Sequence, residues 1–223
     1  MKGEIEMSLW SMLELGTRVA QDVELNWLVN VGIGMPQVAV EPLTERGVTL
    51  HSENGIIGLG PSPSPGNEDP DVIDAGKGFA TVVAGGSFID SLTSFTLIRG
   101  GRLDLALMGA YEVSVNGDLA NWRLQGKKIA GIGGAADLAH GARRVWIITS
   151  LFSNDDTSKL VKECTHPLTA SGVVTRIYSE YGIFEPSGDA FKVICLADGV
   201  TARDLLERGV PLQMQAASKS ENK

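Results

Sequence analysis

The stretch from Leu28 to His51 constrains the fold of this chain more than any other. Leu28-Val29-Asn30-Val31 has the apolar character of a buried strand, and it stops at Gly32 and Gly34. Met35 to Leu43 predicts a short helix whose Pro36 falls in the first turn, where a missing N–H does no harm. Val48-Thr49-Leu50-His51 then supplies a second strand. Strand, glycine turn, helix and strand make a βαβ unit, and such units build parallel sheet. The expected class is therefore α/β, with a mostly parallel central sheet flanked by helices. A length of 223 residues fits one large domain. We place that domain at 1–215 and expect a polar, disordered tail over 216–223.

The remaining elements follow from periodicity and turn chemistry. Leu9, Met12, Leu13, Gly16, Val19 and Ala20 recur at helical spacing, which predicts an amphipathic first helix. Pro61-Ser62-Pro63-Ser64-Pro65-Gly66 is a loop by composition. Strands are expected at 81–84, 103–108, 145–148, 173–178 and 191–196, and a helix at 87–98. Asn116-Gly117 after Glu112 to Val115 marks a hairpin. Gly134 to Gly141 reads as a short helix, and Thr201 caps a last one running to Arg208.

Charge and composition exclude several function classes. The formal charge is −8, and no basic run exceeds Lys127-Lys128 or Arg143-Arg144, so no nucleic-acid partner is expected. No apolar stretch is long enough to span a membrane, and Met1 to Glu6 lacks the pattern of a signal peptide. Cys164 and Cys195 lie far apart, as in a reduced, cytoplasmic protein. The three histidines, His51, His140 and His166, form no spaced pair, so no metal site is expected.

The chemistry concentrates at Ser52-Glu53-Asn54-Gly55, between the apolar runs Val48-Thr49-Leu50 and Ile56-Ile57. Asn-Gly favours a tight turn because both residues tolerate positive φ. A carboxylate held there, flanked by apolar side chains, is partly desolvated, which raises its pKa and its nucleophilicity. Glu53 could serve as an acid or base, a metal ligand or a covalent nucleophile. It could also simply point at water from a turn. Its neighbour His51 either tunes the carboxylate or packs in the core.

Gly131-Ile132-Gly133-Gly134-Ala135-Ala136 fits a loose dinucleotide fingerprint, with Asp155 and Asp156 where a ribose-binding acid would sit. The preceding Lys127-Lys128-Ile129-Ala130 makes a poor buried strand, which weakens that reading. The same glycines could instead let a substrate approach the backbone, with N–H groups at a helix start receiving an anion. Arg99 and Arg102 could grip a substrate carboxylate or could be ordinary charges at a helix end. No G-x-S-x-G nucleophile elbow exists.

Residues 50 to 58, Leu-His-Ser-Glu-Asn-Gly-Ile-Ile-Gly, resemble the active-site signature of the family I coenzyme A transferases at every position. The resemblance is to the beta subunit of the two-subunit 3-oxoacid and 3-oxoadipate enzymes. Other stretches look like the family in the same order. They include Val31 to Pro36, Asp74-Ala75-Gly76-Lys77, Ile98-Arg99-Gly100-Gly101, Gly117 to Trp122, Gly133 to Leu138, Glu163-Cys164-Thr165 and Ile183-Phe184-Glu185. The resemblance implies that Glu53 is a covalent nucleophile. It also implies that Ser52, Asn54, the Gly32-Ile33-Gly34 turn and the Gly131, Gly133, Gly134 loop surround substrate. Coenzyme A would be a substrate, with no cofactor, and the reaction would move it from an acyl-CoA to a carboxylic acid. The implied partner is a separate alpha subunit in an α2β2 assembly. The chain departs from the pattern at Ala136, at Ser150-Leu151-Phe152 and at Ser179-Glu180-Tyr181-Gly182, positions that bear on the acyl group.

Overall fold

A computed structural model of the protein describes residues 7–124 and 131–213. The first half holds α1 (Met12–Asp22), β1 (Leu28–Val31), a 3-10 helix over Met35–Ala39, α2 (Val40–Glu45), β2 (Thr49–Ser52), β3 (Ile56–Gly60) and β4 (Thr81–Phe88). After α3 (Ser91–Arg99) come β5 (Leu105–Met108), β6 (Glu112–Ser114), β7 (Leu119–Ala120) and α4 (Ala135–Gly141). The chain continues through β8 (Val145–Ile148), β9 (Leu160–Val161), β10 (Val174–Ser179), β11 (Gly182–Pro186), β12 (Phe191–Leu196) and α5 (Ala202–Glu207).

The large sheet runs β12-β11-β10-β8-β5-β1-β2-β3-β4. Its five middle strands, β10, β8, β5, β1 and β2, are parallel, and an antiparallel hairpin arm extends each edge. The βαβ unit expected from Leu28 to His51 is present, with Leu28 opposite Thr49 and Asn30 opposite His51. β1 is the origin of the winding: successive strands add on one side through β2 and on the other through β5. Such a reversal is where α/β sheets open a crevice at their carboxyl ends. The middle strands are buried on both faces, and β5 and β8 read Leu-Ala-Leu-Met and Val-Trp-Ile-Ile without one exposed residue. A second, three-stranded sheet, β7-β6-β9, contains the hairpin expected at Asn116-Gly117.

Several local expectations are corrected. In α1 the buried stripe is Leu15, Gly16, Val19 and Ala20, whereas Leu9, Met12 and Leu13 are exposed. The helix covering Met35 to Leu43 divides at Val40. Pro42 has no N–H to give to the Val38 carbonyl, so a continuous α-helix would be broken there, while a helix starting at Val40 keeps Pro42 in its first turn. The helix expected from Ser87 starts at Ser91 instead. Ser87 and Phe88 pair with Ile57 and Ile56, and the Asp90 carboxylate caps the helix by accepting from the Thr93 N–H at 2.8 Å. β3, β9 and β11 have no counterpart among the expected strands. Lys127 to Ala130 and the tail at 216–223 lie outside the described residues.

Candidate active site

Glu53 sits in the turn that joins β2 to β3, at the carboxyl end of a parallel strand. The turn is pinned from every side. The Gly55 N–H bonds the Ser52 carbonyl at 2.9 Å, and the Ile89 N–H bonds the Gly55 carbonyl at 2.9 Å. Gly55 has φ of 120°, and a Cβ there would fall onto the Ile89 carbonyl, so only glycine closes this turn. The Ser52 hydroxyl accepts from the Ala75 N–H at 3.0 Å, and the Asn54 amide donates to the Ile73 carbonyl at 2.7 Å. Ser52 and Asn54 thus hold the frame and do not line the cavity.

Behind the turn runs a buried chain of hydrogen bonds. The Asn30 Nδ2 lies 3.1 Å from His51 Nδ1, His51 Nε2 lies 3.0 Å from the Ser94 Oγ, and that hydroxyl donates to the Glu53 carbonyl at 2.8 Å. Asn30 Nδ2 can only donate, so His51 Nδ1 accepts and the ring proton belongs on Nε2. Asn30, His51 and Ser94 are fully buried. Burial holds the His51 pKa down, at about 4, so the ring is neutral. His51 is therefore a packed, backbone-orienting residue, and its side chain does not reach the carboxylate.

The Glu53 carboxylate is half-buried, and its Oε2 is enclosed without a hydrogen-bond partner among the described residues. Burial pushes its pKa up, and the nearby Asp74 charge adds to the rise, against opposing help from backbone and from Asn30. An enclosed carboxylate oxygen with nothing bonded to it is under-solvated, and under-solvation is what makes a weak nucleophile react.

The carboxylate opens into a cavity of about 570 Å³. Its walls come from the carboxyl ends of adjacent strands: Gly32 and Ile33 after β1, Met108 and Gly109 at β5, and Ile148 and Thr149 at β8. The loop of Gly131, Ile132, Gly133 and Gly134 forms the facing wall. A Cβ on Gly134 would lie 3.7 Å from Glu53 Cγ and 3.1 Å from the Phe95 ring, so the backbone passes close to the Glu53 side chain. Gly34, with φ of 85°, precedes the 3-10 helix and stands outside the lining.

Other candidates are placed elsewhere. Arg99 is engaged by Asp137 at 2.7 Å, as a helix-end charge would be. Asp156 pairs with Arg208 and Asp155 with the Ser153 hydroxyl, so neither faces the glycine loop as a ribose-binding acid. Both cysteines are free thiols, and among the described residues no three His, Cys, Asp or Glu side chains gather as a metal site. Gly109, Ala110, Tyr111 and Lys159 line the cavity without having been singled out in the sequence, and of these Lys159 carries a charge; its Nζ donates to the Thr149 and Ser150 hydroxyls at 3.1 and 2.8 Å. Two departures from the family pattern sit beside it, Ser150 and Glu180, the latter accepting from the Leu151 N–H.

Comparison with known proteins bears on this geometry. Residues 13–207 match the family model described as Coenzyme A transferase. A 3-oxoadipate CoA-transferase subunit from Pseudomonas putida is 44% identical over 204 residues, 91% of this chain and 96% of that one. A succinyl-CoA:3-ketoacid coenzyme A transferase subunit from Helicobacter pylori is 43% identical over 191 residues, 86% of this chain and 92% of that one. Among solved structures, an acyl-CoA transferase from Escherichia coli O157:H7 superposes with a TM-score of 0.66 at 19% identity. The match covers 95% of this chain but only 42% of that protein, so the chain spans less than half its length.

Proposed function

This chain belongs to the coenzyme A transferase family, and we propose that it is the catalytic subunit of a 3-oxoacid CoA-transferase using Glu53 as its covalent nucleophile. The donor is an acyl-CoA, succinyl-CoA foremost, and the acceptor a 3-oxo acid such as acetoacetate. The observation that carries the reading is the enclosed, unpartnered Glu53 oxygen, on a side chain that the Gly134 backbone closely approaches.

Glu53 attacks the donor thioester carbonyl and expels coenzyme A as its thiolate, leaving a mixed anhydride. The thiolate then attacks the glutamyl carbonyl, which frees the donor acid and leaves coenzyme A as a thioester on Glu53. The acceptor carboxylate attacks that thioester, and the released thiolate takes the acceptor acyl group from the second anhydride, restoring Glu53. This is ping-pong catalysis that conserves the thioester without ATP. Each tetrahedral oxyanion needs donors in place, and one backbone N–H is typically worth about 3 kcal/mol; the Gly134 amide is the group we assign. Water would hydrolyse every intermediate, so the cavity must be closed during turnover.

Closure calls for a partner. The two relatives are each named as one subunit of a transferase, and we assign an alpha subunit, in an α2β2 assembly, to complete this site. Exposed apolar side chains support that: Phe88 and Leu92 beside the Glu53 turn, Met12 and Leu13 on α1 and Leu9 just before it. The two free thiols fit a reducing compartment, the cytoplasm; no described helix is long and apolar enough to cross a membrane. A second reading, the 3-oxoadipate enzyme, draws support from the Pseudomonas putida relative.

The deciding experiment purifies the chain with its alpha subunit and follows transfer from succinyl-CoA to acetoacetate and, separately, to 3-oxoadipate. Incubation with donor alone should add coenzyme A less water to the peptide that contains Glu53. Thioester hydrolysis without transfer to either acid would replace the transferase with a hydrolase.

A further inference from the structure

Lys159 lies on the same cavity wall system as Glu53 but across the sheet, at the carboxyl end of β8. Three strand spacings separate β2 from β8, about 14 Å between backbones at ~4.8 Å each. The Glu53 and Lys159 side chains both line the cavity in between, which shortens the gap to the reach of a short diacid. Between the two ends the cavity is largely apolar, lined by Ile33, Met108, Trp122, Ile132 and Ile148. Among the described lining residues Lys159 is the one cation.

Its surroundings leave that charge under-neutralised. The ammonium donates to two neutral hydroxyls, on Thr149 and Ser150, and no carboxylate comes within ion-pair distance among the described residues. Glu180 is close enough to favour the charged form, yet its own oxygens receive the Leu151 N–H at 3.2 and 3.3 Å. Burial meanwhile works against the charge and lowers the pKa. A partly buried cation with a spare N–H and only neutral partners is costly to keep unless an anion arrives to pair with it.

We propose that Lys159 binds the distal carboxylate of a dicarboxylic acyl group whose thioester end lies at Glu53. The apolar stretch between them would receive the methylene chain, and the two hydroxyls fix where the ammonium points. A single-carboxylate acyl group would occupy the same cavity and leave Lys159 unpaired. Lys159 thus selects diacid substrates, a role that rests on the transferase reading and deepens it.

The test uses the assembled complex with the alpha subunit and reads Glu53 thioester formation by mass spectrometry, with succinyl-CoA or acetoacetyl-CoA as donor. A hydrogen bond to a buried charge is worth roughly a 10- to 100-fold change in rate, so Lys159→Met should slow labelling from succinyl-CoA by about that factor. Labelling from acetoacetyl-CoA should stay near wild type, and Lys159→Arg should recover most of the discrimination. Equal losses with both donors, or none, would overturn the assignment while leaving the transferase reading intact. If the wild-type complex labels from neither donor, both fall together. Should Lys159→Met fail to assemble, wild type alone decides: succinate must inhibit labelling at far lower concentration than butyrate, and equal potency refutes the proposal.

Discussion

Two segments face each other across the cavity, and they are built in opposite ways. The turn at 52–55 is bonded at the Ser52 hydroxyl, the Glu53 carbonyl, the Asn54 amide and the Gly55 backbone. The loop at 131–134 is open: a Cβ at Gly131 or Gly133 would meet nothing within 4 Å. The Glu53 turn is held by a saturated frame, whereas the opposing backbone carries a side chain only at Ile132 and leaves space at its glycines. Rigidity is invested on the side of the carboxylate, and space on the side that faces it, the division the proposed chemistry requires.

The sharpest break in this contrast would come from Glu53 itself. Glu53→Ala should abolish transfer in the assembled complex while leaving the thermal midpoint close to wild type. Glu53→Asp keeps the charge but withdraws the oxygen by about 1 Å, and misplacement on that scale costs ~100-fold. Retention of wild-type turnover by either variant would remove Glu53 as nucleophile.

A smaller effect is expected across the cavity. Gly133 has φ of 53°, the left-handed region, with open space around it. Gly133→Val should therefore act through backbone strain, ~1–2 kcal/mol, rather than through a clash, and cut Glu53 labelling about tenfold. If it labels at the wild-type rate, the loop is not part of the acyl site and the contrast fails.

The last effect is on stability and leaves the rate of transfer untouched. Folded protein keeps His51 neutral down to about pH 4, whereas an unfolded chain protonates it near 6.5. The unfolded state therefore binds the extra proton between those values, and stability falls on acidification through that window, by up to about 3 kcal/mol. Glu53, shifted upward, carries the opposite sign, its contribution being lost as pH rises. Denaturant titrations from pH 7 to 4 should show a steeper decline for wild type than for His51→Gln. Parallel curves would mean that His51 is not sealed behind the turn.

How much of this was legible in the sequence depends on range. Glu53 was legible because its turn, its apolar flanks and Asn54-Gly55 are all adjacent residues. The parallel sheet centre was legible because β1, its glycines and β2 lie within one short run. Lys159 was not, since Thr157-Ser158-Lys159 reads as a solvated loop; its burial comes from Thr149 and Ser150, delivered by β8. The α1 face was misjudged because Leu9, Met12 and Leu13 have the right spacing but face away from the core. Apolar periodicity reports a helix, and a second chain can claim one side of it as readily as the core can.

The order of strands about β1 also sets a timetable. β1 to β4 are neighbours in the sheet and in sequence, spanning 28–88, so their pairings close short loops and can form as the chain leaves the ribosome. β5, the 131–134 loop and β8 arrive later, from the growing end. The carboxylate is thereby among the first parts of the site to exist and the enclosure among the last. A half-made chain carries an ordinary, hydrated glutamate; the carboxylate is desolvated only when synthesis has supplied the walls that take the water away.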